Sequence, residues 1–146
     1  MYTELVRARV TARNLSPTTI VVDELCENMT LVDITGLAYH NEPVFYFPEN
    51  HMPYDNRKLG ENFLTRASSK DWDLWSIGMM SLEIIVGSDL VLLLTTMEAV
   101  ESLMAEIRPH IPTNTHLLLT EMLFHVSDRH AVQNAKGDFF DTIYCI

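Results

Sequence analysis

Cysteine, glycine, proline and positive charge are all scarce in this chain. The two cysteines among its 146 residues, Cys26 and Cys145, lie far apart and follow neither ligand nor redox spacing. They read as free thiols of a reducing compartment, which makes the cytoplasm the default location. Five glycines and six prolines are too few for collagen or low-complexity disorder. Ten Lys and Arg stand against twenty Asp and Glu, a net charge of −10. Nucleic acid and anionic membranes both demand basic surface, so neither is expected as a partner. The opening "MYTELVRARV" has no apolar signal-peptide core. Arg7 and Arg9 suggest an organellar presequence, which Glu4 and the missing Ser-rich continuation oppose. An unbroken apolar run is missing too. Ile77 to Met97 comes nearest, but Glu83 and Asp89 interrupt it and "VGSD" is a helix stop.

The length suits one domain over 1–146 with a sizeable core. Two β-branched runs, Thr19–Val22 and Thr30–Asp33, flank a turn-like "DELCEN" and predict a small hairpin. Residues 36–62 are rich in Pro, Asn and Gly and read as loop with short helical turns. From Ser68 onward helices dominate. Ser68 or Ser69 can cap a helix through "DWDLWSIGMMSLEIIVG", which Gly87 ends. Apolar residues surround that helix on nearly every side, so it belongs inside the fold. A second helix fits "TTMEAVESLMAEIR", with capping-box spacing between Thr95 and Glu98 and with Pro109 after its end. A third follows Pro112 in "TNTHLLLTEMLFHV", and a short one fits "RHAVQNAKG". The expected class is mainly α with a small β-hairpin near the N-terminus.

Signals for chemistry are thin. The six histidines, His40, His51, His110, His116, His125 and His130, form no i, i+4 pair backed by acids, so no metal centre is expected. Met79, Met80, Met97, Met104 and Met122 recur at helical spacing and read as core filler. No Gly-rich phosphate loop and no Ser/His/Asp or Cys/His nucleophile can be assembled. No cofactor is expected.

The order of several strings nevertheless carries meaning. "ARNLSPTTIVV" resembles the protein-kinase catalytic loop H-R-D-L-x-x-x-N with its following strand, and "LVDITGLA" resembles the strand and D-F-G segment. "FYFPEN" is similar to A-P-E, and "DLWSIG" to the D-x-W-S-x-G that opens the family's central helix. "LLLTEMLFHVSDRHAVQNAKGDFF" is similar to the closing helices with their arginine. The chain thus resembles a protein-kinase C-lobe from about Val10 to Phe140. The resemblance implies a catalytic-loop remnant over 10–22, an activation-segment remnant over 33–49, a central helix over about 70–86 and closing helices over about 95–136.

The likeness fails where phosphoryl transfer would occur. The family's Gly-rich loop, its V-A-I-K lysine and the glutamate partner of that lysine have no counterpart in these residues. The histidine position is Ala12 and the aspartate that accepts the substrate proton is Asn14, an amide with no useful proton affinity. The following lysine is Ser16, and the magnesium-binding asparagine is Thr19, a poorer ligand for a hard cation. Asp33 remains, in "DIT", and one carboxylate does not hold two magnesium ions and a triphosphate. Structural residues survive better. The resemblance implies that Glu49 pairs with Arg129, that Asp73 accepts backbone hydrogen bonds near Ala12 and Arg13, and that Trp75 is core. Arg13 also matches the arginine that can clamp a phosphorylated activation segment, with Tyr39 or Tyr46 as the site, although the simpler reading is a surface Arg.

The implied function is a catalytically inactive, pseudokinase-like C-lobe acting as a structural or interaction subunit of a hetero-complex. Its partner proteins would cover the face that the N-lobe normally meets; a cytoskeletal or ciliary lattice is one such assembly. The alternative is the C-lobe half of a split kinase completed by another chain. It leaves Asn14 and Thr19 unexplained.

Overall fold

The computed structural model describes residues 1–39, 53–55 and 70–124. Within them the chain is helix-rich, with small antiparallel two-stranded sheets near the N-terminus. A short helix α1 (Tyr2–Arg7) leads into β1 (Val10–Thr11). The hairpin follows as β2 (Ile20–Val22) and β3 (Met29–Leu31), then β4 (Ala38–Tyr39). The helical body comprises α2 (Lys70–Val86), α3 (Ser88–Val91), α4 (Met97–Ile107) and α5 (Thr113–Phe124).

The hairpin forms where the β-branched runs place it, with Ile20 opposite Leu31 and Val22 opposite Met29. Its second strand begins one residue earlier than expected and ends two earlier. Asp33 leaves the ladder because its carboxylate turns back to accept from Thr35 N–H at 2.9 Å, an Asx-type turn. The other sheet was not anticipated. β1 pairs with β4 through Val10–Tyr39 and Thr11–Ala38, so part of the expected loop after Gly36 is a strand. Two-residue strands have no periodicity to read. This one exists only because its distant partner is there.

Helix α2 is the centre of the core. Trp75, Met79 and Leu82 are fully enclosed, with Leu74 and Ile77 nearly so. Its last turn departs from the expectation of burial all round, since Ile84 is exposed. Gly87 ends the helix at φ 91°, in the region that disfavours a side chain, and its N–H donates to Glu83 O at 2.8 Å. The Ser68 or Ser69 cap lies outside the described residues. Helix α4 caps one residue later than predicted. Thr96, not Thr95, is extended and accepts from Ala99 N–H at 3.2 Å. Either threonine suits a cap by type, so residue type alone does not choose between them. Met97, Val100, Met104 and Ile107 then face the core. Pro109 sits in a 3-10 turn, Arg108–His110, and Pro112 O accepts from His116 N–H at 3.0 Å to open α5. His116 Nε2 meets Met104 O at 3.0 Å and ties α5 to α4. The short helix expected after Asp128 lies outside the described residues, and none of the described helices is long and apolar enough to cross a membrane.

Helices α2 and α5 approach each other closely at Gly78. A Cβ there would lie 2.9 Å from Leu123 Cδ2 and 3.1 Å from Met122 Cβ. Alanine raises helix propensity by about 1 kcal/mol, whereas overpacking costs about 1–3 kcal/mol. Leu123 can rotate away, but Met122 Cβ moves only with its backbone. We therefore expect Gly78→Ala to lower the denaturant midpoint, and Gly78→Val to lower it further. An unchanged or raised midpoint would show that the helix pair has slack.

Candidate functional site

The loop between β1 and β2 is anchored from below by α2. Asp73, on the first turns of α2, is buried and takes two main-chain N–H groups, from Ala12 at 2.7 Å and from Arg13 at 2.8 Å. Burial pushes its carboxyl up to about 7, while the two N–H donors and the Arg13 charge oppose that rise. The carboxylate spans sixty-one residues of sequence to hold the loop.

Arg13 is a correction to the surface reading. Only 3% of it is exposed, and its Nε donates to Gly36 O at 2.5 Å. Its φ of 66° lies in the left-handed region, which a non-glycine residue enters at a cost. The Asp73 carboxylate on its N–H and the carbonyl on its guanidinium hold it there. The position is used to join the loop to the segment after Asp33.

The positions that the kinase resemblance singles out, Ala12, Asn14, Ser16, Thr19 and Asp33, fall in or beside this loop. Ala12 is enclosed, and Asn14 and Ser16 are almost so. Both polar atoms of the Asn14 amide are buried without a partner at full hydrogen-bond geometry. Thr35 donates to Asp33 from N–H and hydroxyl, at 2.9 and 2.7 Å, and holds that carboxyl below its ordinary range; Asn14 adds a smaller effect. Thr19 is occupied with the loop itself. Its hydroxyl donates to Asn14 O at 2.8 Å and accepts from Ser16 N–H at 3.0 Å. Ser16 Oγ lies 2.9 Å from Thr18 Oγ1. The hydroxyls therefore close a tight turn and point no free donor set outward.

Trp75 is fully buried and donates from Nε1 to Pro53 O at 3.0 Å. Its neighbour Ser76 donates to Tyr54 O at 2.8 Å, and Tyr54 donates to Glu83 Oε2 at 2.5 Å. Burial first, then Glu83, raises the Tyr54 hydroxyl far above its ordinary range, so it remains a donor. Pro53 and Tyr54 are thereby fixed along α2, an anchor that sequence reasoning missed. Ser76, inside "DLWSIG", was the signal available for it. Glu49 and Arg129 lie outside the described residues, as do Tyr46 and the 125–136 part of the closing helices.

Among the described residues no cluster of three or more His, Cys, Asp or Glu could hold a metal ion. Comparison with known proteins finds no family model, no curated protein and no solved structure that matches the chain.

Proposed function

We propose that the chain is a non-catalytic, protein-kinase-like C-lobe that serves as a structural or interaction subunit of a larger protein assembly in the cytoplasm. The observation that carries the reading is the seat of Ala12 and Arg13 on Asp73. It joins "ARNL" to "DLWSIG" by the contact that the kinase resemblance implies. At the position of the proton acceptor stands Asn14, which cannot take a proton near neutral pH. Loss of a general base alone costs ~100- to 10,000-fold in rate. Thr19, at the metal-ligand position, spends its hydroxyl on Asn14 O.

The subunit role follows from surface that the described residues leave open. Leu25, Ile34, Leu92 and Leu93 are among the exposed apolar side chains, in two separate regions of the fold. Large exposed apolar patches mark interaction sites, and a partner that binds only the folded form stabilises it. The purified chain alone is expected to bind an environment-sensitive apolar dye and to melt broadly. It should gain a sharper, higher transition in its native complex and transfer no phosphate in either state. A chain that stays monomeric, melts sharply and binds no dye overturns the subunit role. Phosphoryl transfer by the complex, abolished by Asp33→Ala, overturns the claim of inactivity.

A further inference from the structure

We propose that the outer side of the β2–β3 hairpin docks a positively charged, strand-forming segment of another protein, one that alternates apolar residues with Lys or Arg. The inference rests on the subunit role above and specifies the partner's chemistry.

The register divides the hairpin into two faces. Ile20 and Leu31 stand opposite each other and pack on the core, so Val21, opposite Thr30, turns the other way. Val32 continues that outer row, since its N–H donates to Thr19 O at 2.9 Å. A hairpin with one face on the core places polar residues outside. Here Val21 and Val32 are 54% and 56% exposed, and Ile34, just beyond, is 65% exposed. Among the described residues the sheet has two strands, and no third strand pairs with either edge. Neither strand carries the Lys or Pro that commonly protects an edge.

Charge selects the occupant. From Ser16 to Tyr39 there is no Lys, Arg or His, while Asp23, Glu24, Glu27 and Asp33 surround the apolar residues. Asp23 is committed to the ionised form, accepting from Glu27 N–H at 2.8 Å and Asn28 Nδ2 at 2.6 Å. A second copy of this chain, itself carrying −10, would bring a like-charged rim against this one. A segment alternating apolar and basic residues satisfies both features. Its main chain extends the sheet, and its apolar side chains line up beside the outer row. Its basic side chains, alternating to the other side of the added strand, reach around the edge toward the acidic side chains at the ends of the hairpin.

The full chain is titrated with three synthetic peptides of equal length: alternating Val–Lys, alternating Val–Glu and alternating Ser–Lys. Amide hydrogen exchange is followed by mass spectrometry. Val–Lys should bind at least about tenfold tighter than the other two, weaken with added salt, and slow exchange between residues 19 and 32. Val21→Thr with Val32→Thr should remove that preference over Ser–Lys with unchanged circular dichroism. Should this pair unfold the hairpin, Glu24→Lys with Glu27→Lys, both exposed, should shift the preference toward Val–Glu. Equal binding of Val–Lys and Val–Glu, protection elsewhere in the chain, or a dimer protecting 19–32 without peptide overturns the proposal. The dye and melting measurements separate the two readings. A dye-binding chain that ignores Val–Lys refutes the docking surface alone, and a dye-silent, sharply melting monomer refutes the subunit role as well.

Discussion

Replacing Asp73 by Ala is expected to destabilise the fold by about 3–5 kcal/mol, a large share of the 5–15 kcal/mol that holds an ordinary domain together. The substitution leaves the N–H groups of Ala12 and Arg13 buried without their acceptor. Each such orphan costs about 1–3 kcal/mol. It also takes the counter-charge from buried Arg13 and frees a residue whose φ of 66° is held partly by that contact. Asparagine is no remedy. Its carbonyl can serve one N–H, but its amide group then presents a donor to the other. Urea unfolding of the wild type and both variants checks this, and a shared midpoint would show that the loop holds its course without the carboxylate.

The same residue sets a pH dependence whose sign is opposite to the usual carboxylate case. In the unfolded chain Asp73 titrates near 3.8, and in the folded chain burial lifts it to about 7. The fold therefore binds a proton that the unfolded chain has released, and protonation favours folding between those values. The contribution of Asp73 is fully favourable below about 4, declines as pH rises toward 7, and is flat above. Asp73→Ala lacks the dependence. The gap in unfolding free energy between wild type and variant should consequently widen as pH falls from 7 to 5. A gap that narrows over that range would mean the two N–H donors and Arg13 outweigh burial. Comparing the two proteins at each pH cancels the contributions of the other acids.

What could be read from the sequence divides along the range of the interactions involved. Helices α2, α4 and α5 announce themselves through local chemistry: Gly87 as a stop, threonine before a periodic run, Pro109 and Pro112 between helices. The hairpin is equally local, two β-branched runs around a polar turn. The β1–β4 pair is not, because Val10–Thr11 and Ala38–Tyr39 carry no strand pattern apart from each other. Nor is Arg13, whose burial depends on Gly36 O and Asp73 converging on it. Charge alone makes an arginine look like surface. At the candidate site, residue types marked Ala12 to Thr19 as one loop, but not the turn in which Thr19 and Ser16 spend their hydroxyls on the loop itself. The two-threonine ambiguity at the start of α4 has the same origin. Both residues can cap, and the fold picks Thr96.

Trp75 supplies the other large expected effect, in a form that separates packing from hydrogen bonding. It is fully buried in α2, and its indole N–H is the link from that helix to Pro53 O. Trp75→Ala removes a large enclosed side chain and should cost about 3–5 kcal/mol, the range for aromatic truncation in a core. Trp75→Phe keeps most of the apolar contact but leaves the Pro53 carbonyl without its donor, at about 1–3 kcal/mol. The two variants also differ in where they act. Ser76 and Tyr54 still bind 53–55 to α2 in the Phe variant, through Tyr54 O and Glu83. Its loss should therefore appear mainly as faster local exchange around Tyr54. The Ala variant should expose the whole of α2, because Leu74, Met79 and Leu82 share its core. Denaturant midpoints with hydrogen exchange resolved by segment test both statements. Equal, global losses would mean that the N–H lost in both variants, and not the enclosed volume, carries the effect. A Phe variant indistinguishable from wild type in midpoint and local exchange would mean that the indole acts by volume alone and that the 53–55 anchor is held by Ser76 and Tyr54 without it.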